Sequence, residues 1–126
     1  MTTAIILFAH GARDPEWATP MRRVQATIRH SAPAMSVELA FLEFMAPDLP
    51  TCVAGAIDAG ARKVVILPMF IAQGGHLKRE VPVMLENLRS TWPEVEFLLD
   101  RAIGEEESVV QAMADAALRK AGAVFA

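Results

Sequence analysis

Cysteine is almost absent from this chain, because Cys52 is the only one among 126 residues. A single cysteine excludes an intrachain disulfide and any zinc site that needs several cysteines. We therefore predict that Cys52 is a small buried apolar residue on a helix. Tyrosine is missing altogether and histidine occurs only three times, so each histidine needs an explanation.

Positive charge is also scarce, with 12 Lys and Arg residues against 15 Asp and Glu, a net charge of −3 and no basic cluster. Nucleic-acid binding depends on concentrated basic charge, so we expect no nucleic-acid partner. No apolar run approaches the roughly 20 residues of a membrane span, so we expect no membrane association. The first 15 residues lack the basic start and long apolar segment of a signal peptide, which favours a cytoplasmic location.

The motifs of several common α/β enzymes are missing too. There is no GxGxxG after the first apolar run and no GxxxxGK followed by Ser or Thr, which disfavours dinucleotide and P-loop nucleotide binding. No acidic pair ends the first strand, which disfavours a receiver domain that accepts phosphate. The two histidine motifs described below contain no serine or cysteine nucleophile. A phosphatase with histidine as phosphoryl acceptor would require arginine where this chain has Ala9.

The apolar residues predict strands that alternate with helices. Residues 3–9 and 63–72 are continuous apolar runs rich in Ile and Val, typical of strands covered on both faces of a parallel sheet. Residues 36–43 and 95–99 are weaker strand candidates. The order βαβαβαβα predicts one α/β domain over residues 1–126, with three layers (αβα) and a four-stranded parallel sheet. By likeness to flavodoxin-like sheets, we expect the strand order 2-1-3-4, which places the switch point between the first and third strands.

Four segments between and after these strands repeat apolar residues every three to four positions, which predicts four helices with one buried face each. These faces consist of Trp17, Met21, Val24 and Ile28; of Val53, Ala56, Ile57 and Gly60; of Val81, Met84, Leu85 and Leu88; and of Val109, Val110, Met113, Ala117 and Leu118. Pro68 cannot donate to a sheet ladder, so we expect the third strand to end near Leu67.

Two of the three histidines follow strands directly. His10 comes after the first strand in LFAHGARDP, and His76 after the third in FIAQGGHLKREVP. Ligands of open α/β sheets bind beyond the carboxyl ends of strands where the strand order reverses, and neighbouring strands are only about 4.8 Å apart. We therefore expect the two imidazoles to converge on one ligand, with Glu43 reaching the same edge from the second strand. His30 lies near the end of the first helix, where a cation is ordinary.

Glycines and basic residues flank both histidines. Glycine lets the backbone approach a ligand closely, and N–H groups at the start of a helix favour anions. Guanidinium and ammonium groups suit carboxylates or phosphates. The predicted substrate-binding residues are Gly11, Arg13, Gly74, Gly75 and Lys78, with Arg79 nearby.

Three segments together resemble the small class II chelatases, the sirohydrochlorin cobaltochelatase family with its ferrochelatase and nickel-chelatase relatives. They are LFAHGARDP at the first strand, AFLEFMAPDLP at the second and VVILPMFIAQGGHLKREVP at the third, so the resemblance covers nearly the whole chain. One departure is Ala12, where the family commonly has serine. Short members of the family resemble one lobe of a two-lobed chelatase, which implies a homodimer with the active cleft between two such lobes.

The resemblance implies ATP-independent insertion of a divalent metal into a tetrapyrrole such as sirohydrochlorin, in cobalamin or siroheme biosynthesis, with no permanently bound cofactor. The metal is then a substrate, with Co²⁺ as the first expectation and Fe²⁺ or Ni²⁺ as alternatives. By this hypothesis His10 and His76 hold the metal and accept the pyrrole protons, and Glu43 assists. Two alternatives are a non-catalytic metal or tetrapyrrole carrier and, less favoured because of Ala9, a phosphohistidine-type hydrolase.

Overall fold

The computed structural model describes residues 2–122, apart from the side chain of His76, and its strands form one parallel sheet in the order β2-β1-β3-β4. The strands are β1 (Thr2–Ala9), β2 (Ser36–Phe41), β3 (Ala61–Pro68) and β4 (Glu96–Leu99). The helices are α1 (Thr19–Ser31), α2 (Leu49–Asp58), α3 (Gly75–Thr91) and α4 (Glu107–Lys120), with short 3₁₀ helices at Pro15–Ala18 and Ile103–Glu105. The predicted alternation and strand order are confirmed. Within residues 2–122, no helix is long and apolar enough to cross a membrane.

At the carboxyl edge of the sheet, the strands end before the apolar runs do. β2 ends at Phe41, two residues short of Glu43. β3 ends at Pro68, one residue beyond the predicted end at Leu67. Pro68 is in register with Phe8, and the next N–H, that of Met69, donates to the Phe8 carbonyl at 2.8 Å. The residues beyond these strand ends form the loops that carry the predicted site.

One face of the sheet is covered by α2 and α3. The shared core includes Ala4, Ile6 and Phe8 of β1, Val64 and Ile66 of β3, Val53, Ala56 and Ile57 of α2, and Val81, Leu85 and Leu88 of α3. The faces predicted for these helices are confirmed, except that Gly60 lies beyond the end of α2 with a φ of 111°. Full burial of a large aliphatic side chain contributes roughly 1.5–3 kcal/mol. This face therefore carries most of the hydrophobic stability.

α1 covers part of the opposite face, along β1 and β2. The cluster on this side is small and consists of Ala9, Ala18 and Phe41, with Met21, Leu39, Met45 and Met69 packed against it. No residue of α1 is fully buried, and Trp17 lies in the 3₁₀ helix before α1 with 40% of its surface exposed. The buried face predicted for the first helix is therefore only half-buried.

The α1 face is less covered towards β4. Ile5, Val65 and Leu98 are Cα partners across β1, β3 and β4, so their side chains project from the same face. Ile5 and Val65 are partly exposed, and Leu98 is 42% exposed. We call these three residues the open row, an apolar strip of sheet that ends at the edge strand β4.

The buried face predicted for the fourth helix is wrong for this chain taken alone. α4 forms with the expected apolar spacing, but none of its residues is buried. Val110, Met113 and Leu118 are each more than 40% exposed, and Val109 is half-buried. The spacing shows only that a helix has an apolar side, because the covering surface must be supplied by tertiary packing.

Cys52 lies in the first turns of α2. This helix begins where Oδ1 of Asp48 accepts the N–H of Thr51 at 2.9 Å, and hydrogen bonds from Thr51 lower the pKa of Asp48. Burial, with a smaller contribution from the charge of Glu38, raises the pKa of the Cys52 thiol to about 11. The thiol is therefore protonated at neutral pH, and the prediction of a small buried residue on a helix is confirmed.

Candidate active site

The candidate site lies where β1 continues beyond its carboxyl end beside the loop that follows β2. The two chains stay paired after the strands end: the N–H of Leu42 donates to the Ala9 carbonyl at 2.9 Å, and the N–H of Glu43 donates to the His10 carbonyl at 3.0 Å. This backbone pairing holds His10 and Glu43 side by side. The predicted switch point, between β1 and β3, lies at this same edge on the other side of β1.

Gly11 permits that close approach. It is buried and has a φ of 92°, a conformation that favours glycine. A Cβ at this position would collide with the backbone carbonyl of Glu43. Gly11 was predicted to bind substrate, and the structure gives this glycine a separate role, which is to let the two loops touch.

His10 and Glu43 form a direct side-chain contact. Nε2 of His10 lies 3.0 Å from Oε1 of Glu43, and the two side chains are 48% and 49% exposed. An ion pair this exposed contributes only about 0–1 kcal/mol to stability, so the fold does not depend on it. A carboxylate can only accept a hydrogen bond. In the tautomer that donates Nε2–H to Glu43, Nδ1 of His10 keeps its lone pair for another partner.

Phe70 supports the ring of His10. The two rings meet edge to face with centroids 6.3 Å apart, and Phe70 contacts Phe8 in the same way at 6.0 Å. The Phe70 carbonyl accepts the N–H of Gly104 at 3.0 Å. A Cβ on Gly104 would collide with the backbone of Ile71. The second 3₁₀ helix therefore fixes the start of the loop that leads from β3 to α3.

Arg13 and Phe44 form a second contact at this edge. The guanidinium carbon of Arg13 lies 5.0 Å from the centroid of the Phe44 ring, a cation–π distance. Phe44 is 57% exposed and has a φ of 67°. The sequence marked Arg13 as a carboxylate ligand but gave no reason to single out Phe44, because neither a φ value nor ring exposure can be read from residue types.

The remaining predicted residues lie at the start of α3. Gly74 is the N-cap and Gly75 the first helical residue, and no side chain caps this end of the helix. Both glycines and Lys78 are exposed. His76 is the second residue of α3, but its side chain lies outside what the structure describes, so its convergence with His10 stays a prediction. Among the side chains that are described, no three His, Cys, Asp or Glu residues cluster as metal ligands, so His10 and Glu43 form a pair.

A cavity of about 590 Å³ lies elsewhere, between α1, β2 and α2. Its lining includes Arg22, Glu38 and Cys52 but none of the predicted site residues. We place the chemistry at the carboxyl edge and not in this cavity, because the titratable pair, the aromatic support and the order reversal all meet there.

This chain is similar to the CbiX family and to several sirohydrochlorin cobaltochelatases. The model of the CbiX family matches residues 4–120. A sirohydrochlorin cobaltochelatase of Priestia megaterium is 30% identical over 109 residues, which cover 86% of this chain and 35% of that protein. A sirohydrochlorin cobaltochelatase of Methanococcus maripaludis is 35% identical over 82 residues, 65% of this chain and 57% of that protein. This chain thus spans about a third to just over half of the length of these relatives.

Solved structures agree on the fold. A cobalamin biosynthesis CbiX protein from Marinobacter aquaeolei superposes with a TM-score of 0.83 at 28% identity, over 95% of this chain and 98% of that one. The sirohydrochlorin chelatase SirB of Bacillus subtilis, solved with cobalt, gives a TM-score of 0.77 at 23% identity, over 91% of this chain but 49% of SirB. The family model covers nearly the whole chain and the fold is the same, so this chain belongs to the CbiX family.

Proposed function

We propose that this chain is a sirohydrochlorin chelatase, which inserts a divalent metal into a tetrapyrrole without nucleotide hydrolysis. The observation that carries this proposal is the contact between His10 and Glu43 at the carboxyl edge of the sheet. The names of the curated relatives support the substrate, and the missing phosphate-binding motifs agree with a reaction that needs no nucleotide.

The reaction makes two demands that an imidazole beside a carboxylate meets. Two pyrrole N–H protons must leave the ring while the metal sheds water and enters. A neutral imidazole binds borderline metals such as Co²⁺, Fe²⁺ and Ni²⁺ and accepts protons near neutral pH. We assign to the free lone pair on Nδ1 of His10 two successive roles: it holds the metal, and it accepts one pyrrole proton once the metal has moved to the ring. Glu43 orients the ring of His10 through Nε2, accepts the second proton and passes protons to solvent. The half-exposed carboxylate is open to water for that purpose.

His76 and the exposed cationic residues complete the proposed site. His76 is the second residue of α3, which follows the inner strand β3, so it is our second metal ligand. Arg13, Lys78 and the helix start at Gly74 and Gly75 lie at the exposed edge, where they suit the carboxylates of the substrate. Cobalt is our first choice of metal, because the relatives are cobaltochelatases and SirB has been solved with cobalt, although it has also been solved with Fe³⁺.

The proposed reaction is tested by anaerobic absorbance spectroscopy of sirohydrochlorin with Co²⁺, Fe²⁺ or Ni²⁺ in turn. General acid–base assistance typically contributes about 10²–10⁴-fold in rate, so we expect the turnover of His10→Ala to fall by that order. His30→Ala is the matched control, because His30 is an exposed histidine on α1 away from the edge. A spectral change that saturates at one equivalent would identify a carrier, and equal loss in both variants would remove His10 from the site.

We also propose that two copies associate through α4 and the open row. α4 has an apolar side with no buried residue, and Ile5, Val65 and Leu98 form an apolar strip that is partly or largely exposed. Both surfaces are apolar and incompletely covered in the single chain. If α4 of each copy packs on the open row of the other, all four surfaces are removed from water. The superposition covers 49% of the SirB chain, so the rest of SirB is long enough for a second unit of this size.

Association is tested by sedimentation of the wild type and of a Val110→Glu, Met113→Glu variant. We expect the wild type to sediment as a dimer and the variant as a monomer, because two carboxylates would have to be buried without partners. Glu105→Gln and Glu107→Gln, which change charge beside the apolar side of α4, serve as controls. A monomeric wild type at all concentrations, or a dimeric double variant, would contradict the proposal.

A further inference from the structure

Phe44 has an unusual backbone conformation. Its φ of 67° lies in the left-handed region, which glycine adopts easily but where a bulky residue is rare and strained. The N–H of Met45 donates to the Glu43 carbonyl at 2.8 Å, so Phe44 is the central residue of a γ-turn of the strained, positive-φ form. The turn costs free energy, and its first residue is Glu43, whose side chain contacts His10.

The strained conformation of Phe44 does not bury its ring in the core of the chain. Phe44 remains 57% exposed, whereas the other described phenylalanines at this edge, Phe8, Phe41 and Phe70, are at most 8% exposed. Among the side chains that the structure describes, its ring contacts the guanidinium of Arg13, whose carbon lies 5.0 Å from the ring centroid, and Arg13 is itself exposed. The turn therefore presents an aromatic ring to solvent and holds it against a cation.

We propose that Phe44 binds the face or edge of the tetrapyrrole ring beside the contact between His10 and Glu43; this inference rests on the proposed function. A macrocycle whose centre faces His10 and Glu43 extends beyond them on every side, and Phe44 is the next residue after Glu43. Aromatic rings bind flat conjugated systems in offset-stacked or edge-to-face geometry, which favours a planar partner over a flexible one. Arg13, placed by the same contact, lies at the rim where the ring carries its carboxylates.

The test is the affinity for metal-free sirohydrochlorin, measured under anaerobic conditions with a chelator present, so that no metal chemistry contributes. An aromatic contact is worth about 0.5–1.5 kcal/mol beyond buried area, so Phe44→Ala and Phe44→Leu should raise the Kd roughly 2- to 10-fold. Phe44→Tyr keeps the ring and should bind like the wild type. The value of kcat at saturating substrate should change less than KM in the Ala and Leu variants.

Phe44→Gly separates binding from strain. Glycine tolerates positive φ, so this variant should melt above Phe44→Ala, although both lack the ring. If the ring of Phe44 serves only to stabilise the fold, Phe44→Ala and Phe44→Gly should both melt at a lower temperature than the wild type. The folded fraction of each variant should then bind sirohydrochlorin with the affinity of the wild type. A contact between Phe44 and the substrate is supported if Phe44→Gly melts above Phe44→Ala and still binds sirohydrochlorin more weakly than the wild type does.

Three outcomes would overturn the inference, and they differ in what they imply for the proposed function. If the wild type binds sirohydrochlorin and the Ala and Leu variants bind it equally well, the role of Phe44 is wrong and the proposed function stands. If the wild type binds no sirohydrochlorin, the proposed function fails and this inference fails with it. If Phe44→Ala converts a dimer to a monomer, Phe44 is a contact between copies and the inference is overturned.

Discussion

α3 and α4 have the same kind of apolar spacing but different surroundings. α3 buries Val81, Leu85 and Leu88 in the main core, whereas α4 buries none of its residues. The difference arises from the strands that precede them. α3 follows β3, which has a neighbouring strand on each side, and α4 follows β4, a four-residue strand at the edge of the sheet. Periodicity thus predicts that a helix has an apolar side without identifying the surface that covers it.

The largest expected difference between the two helices is in stability. Leu85→Ala removes a side chain that is 8% exposed, and should lower the free energy of unfolding by about 2–5 kcal/mol at any protein concentration. Met113→Ala removes one that is 43% exposed, and should change the stability of the monomer by no more than about 0.5 kcal/mol. Urea unfolding at dilute protein measures both. Equal losses would show that α4 packs on its own chain.

A smaller effect is expected where the segment between β4 and α4 meets the site. Gly104→Ala forces a methyl group against the backbone of Ile71, and overpacking of this kind costs about 1–3 kcal/mol. It should also weaken metal binding, because Gly104 holds the carbonyl of Phe70, the residue behind His10. Isothermal calorimetry with Co²⁺ measures this second effect.

Gly55→Ala is the matched control for that substitution. Gly55 lies within α2 with no atom close to where its Cβ would be, so alanine should stabilise the helix by about 0.5–1 kcal/mol. Metal binding should be unchanged. If Gly104→Ala behaved like Gly55→Ala in both measurements, the second 3₁₀ helix would have no part in positioning the site.

The smallest effect compares the starts of α2 and α4. Asp48 caps α2 through Thr51, whereas no side chain caps α4 at Glu106. Asp48→Ala should cost about 1 kcal/mol, because it leaves a helix N–H without its acceptor. The pKa of Asp48 is lowered in the folded state, so this contribution is complete above its usual value of about 3.9 and is lost as pH falls through the lowered value. Unfolding measured from pH 7 down to pH 2 should show the wild type and the variant converging, and a constant gap would contradict the role of the cap.

Much of this architecture was predictable because the signals are local. Continuous Ile and Val runs mark buried parallel strands, and the order 2-1-3-4 is the one that flavodoxin-like sheets have. The contact of His10 with Glu43 follows from the same order, because β1 and β2 are neighbours and both residues lie just past a strand end. The predicted pairing of His10 with His76 is not tested by this structure.

The rest depends on contacts between distant parts of the chain. Gly11 looked like a ligand-binding glycine, but its buried position against the Glu43 carbonyl appears only when two loops are placed together. Gly104 and Ile71 are 33 positions apart and carry no motif. The exposed ring of Phe44 depends on a single backbone angle, which the apolar segment around it does not predict.

The buried thiol of Cys52 limits the kinds of donor atom that the proposed chelatase offers to a metal. Thiolates hold Co²⁺ and its neighbours tightly, and a donor of that kind would compete with any acceptor ring. With its pKa raised to about 11 and its side chain inside the fold, Cys52 withholds the only sulfur donor of that type in the chain. The described donors at the edge of the sheet are nitrogen and oxygen atoms, so a metal bound there in the proposed reaction would be held without a thiolate.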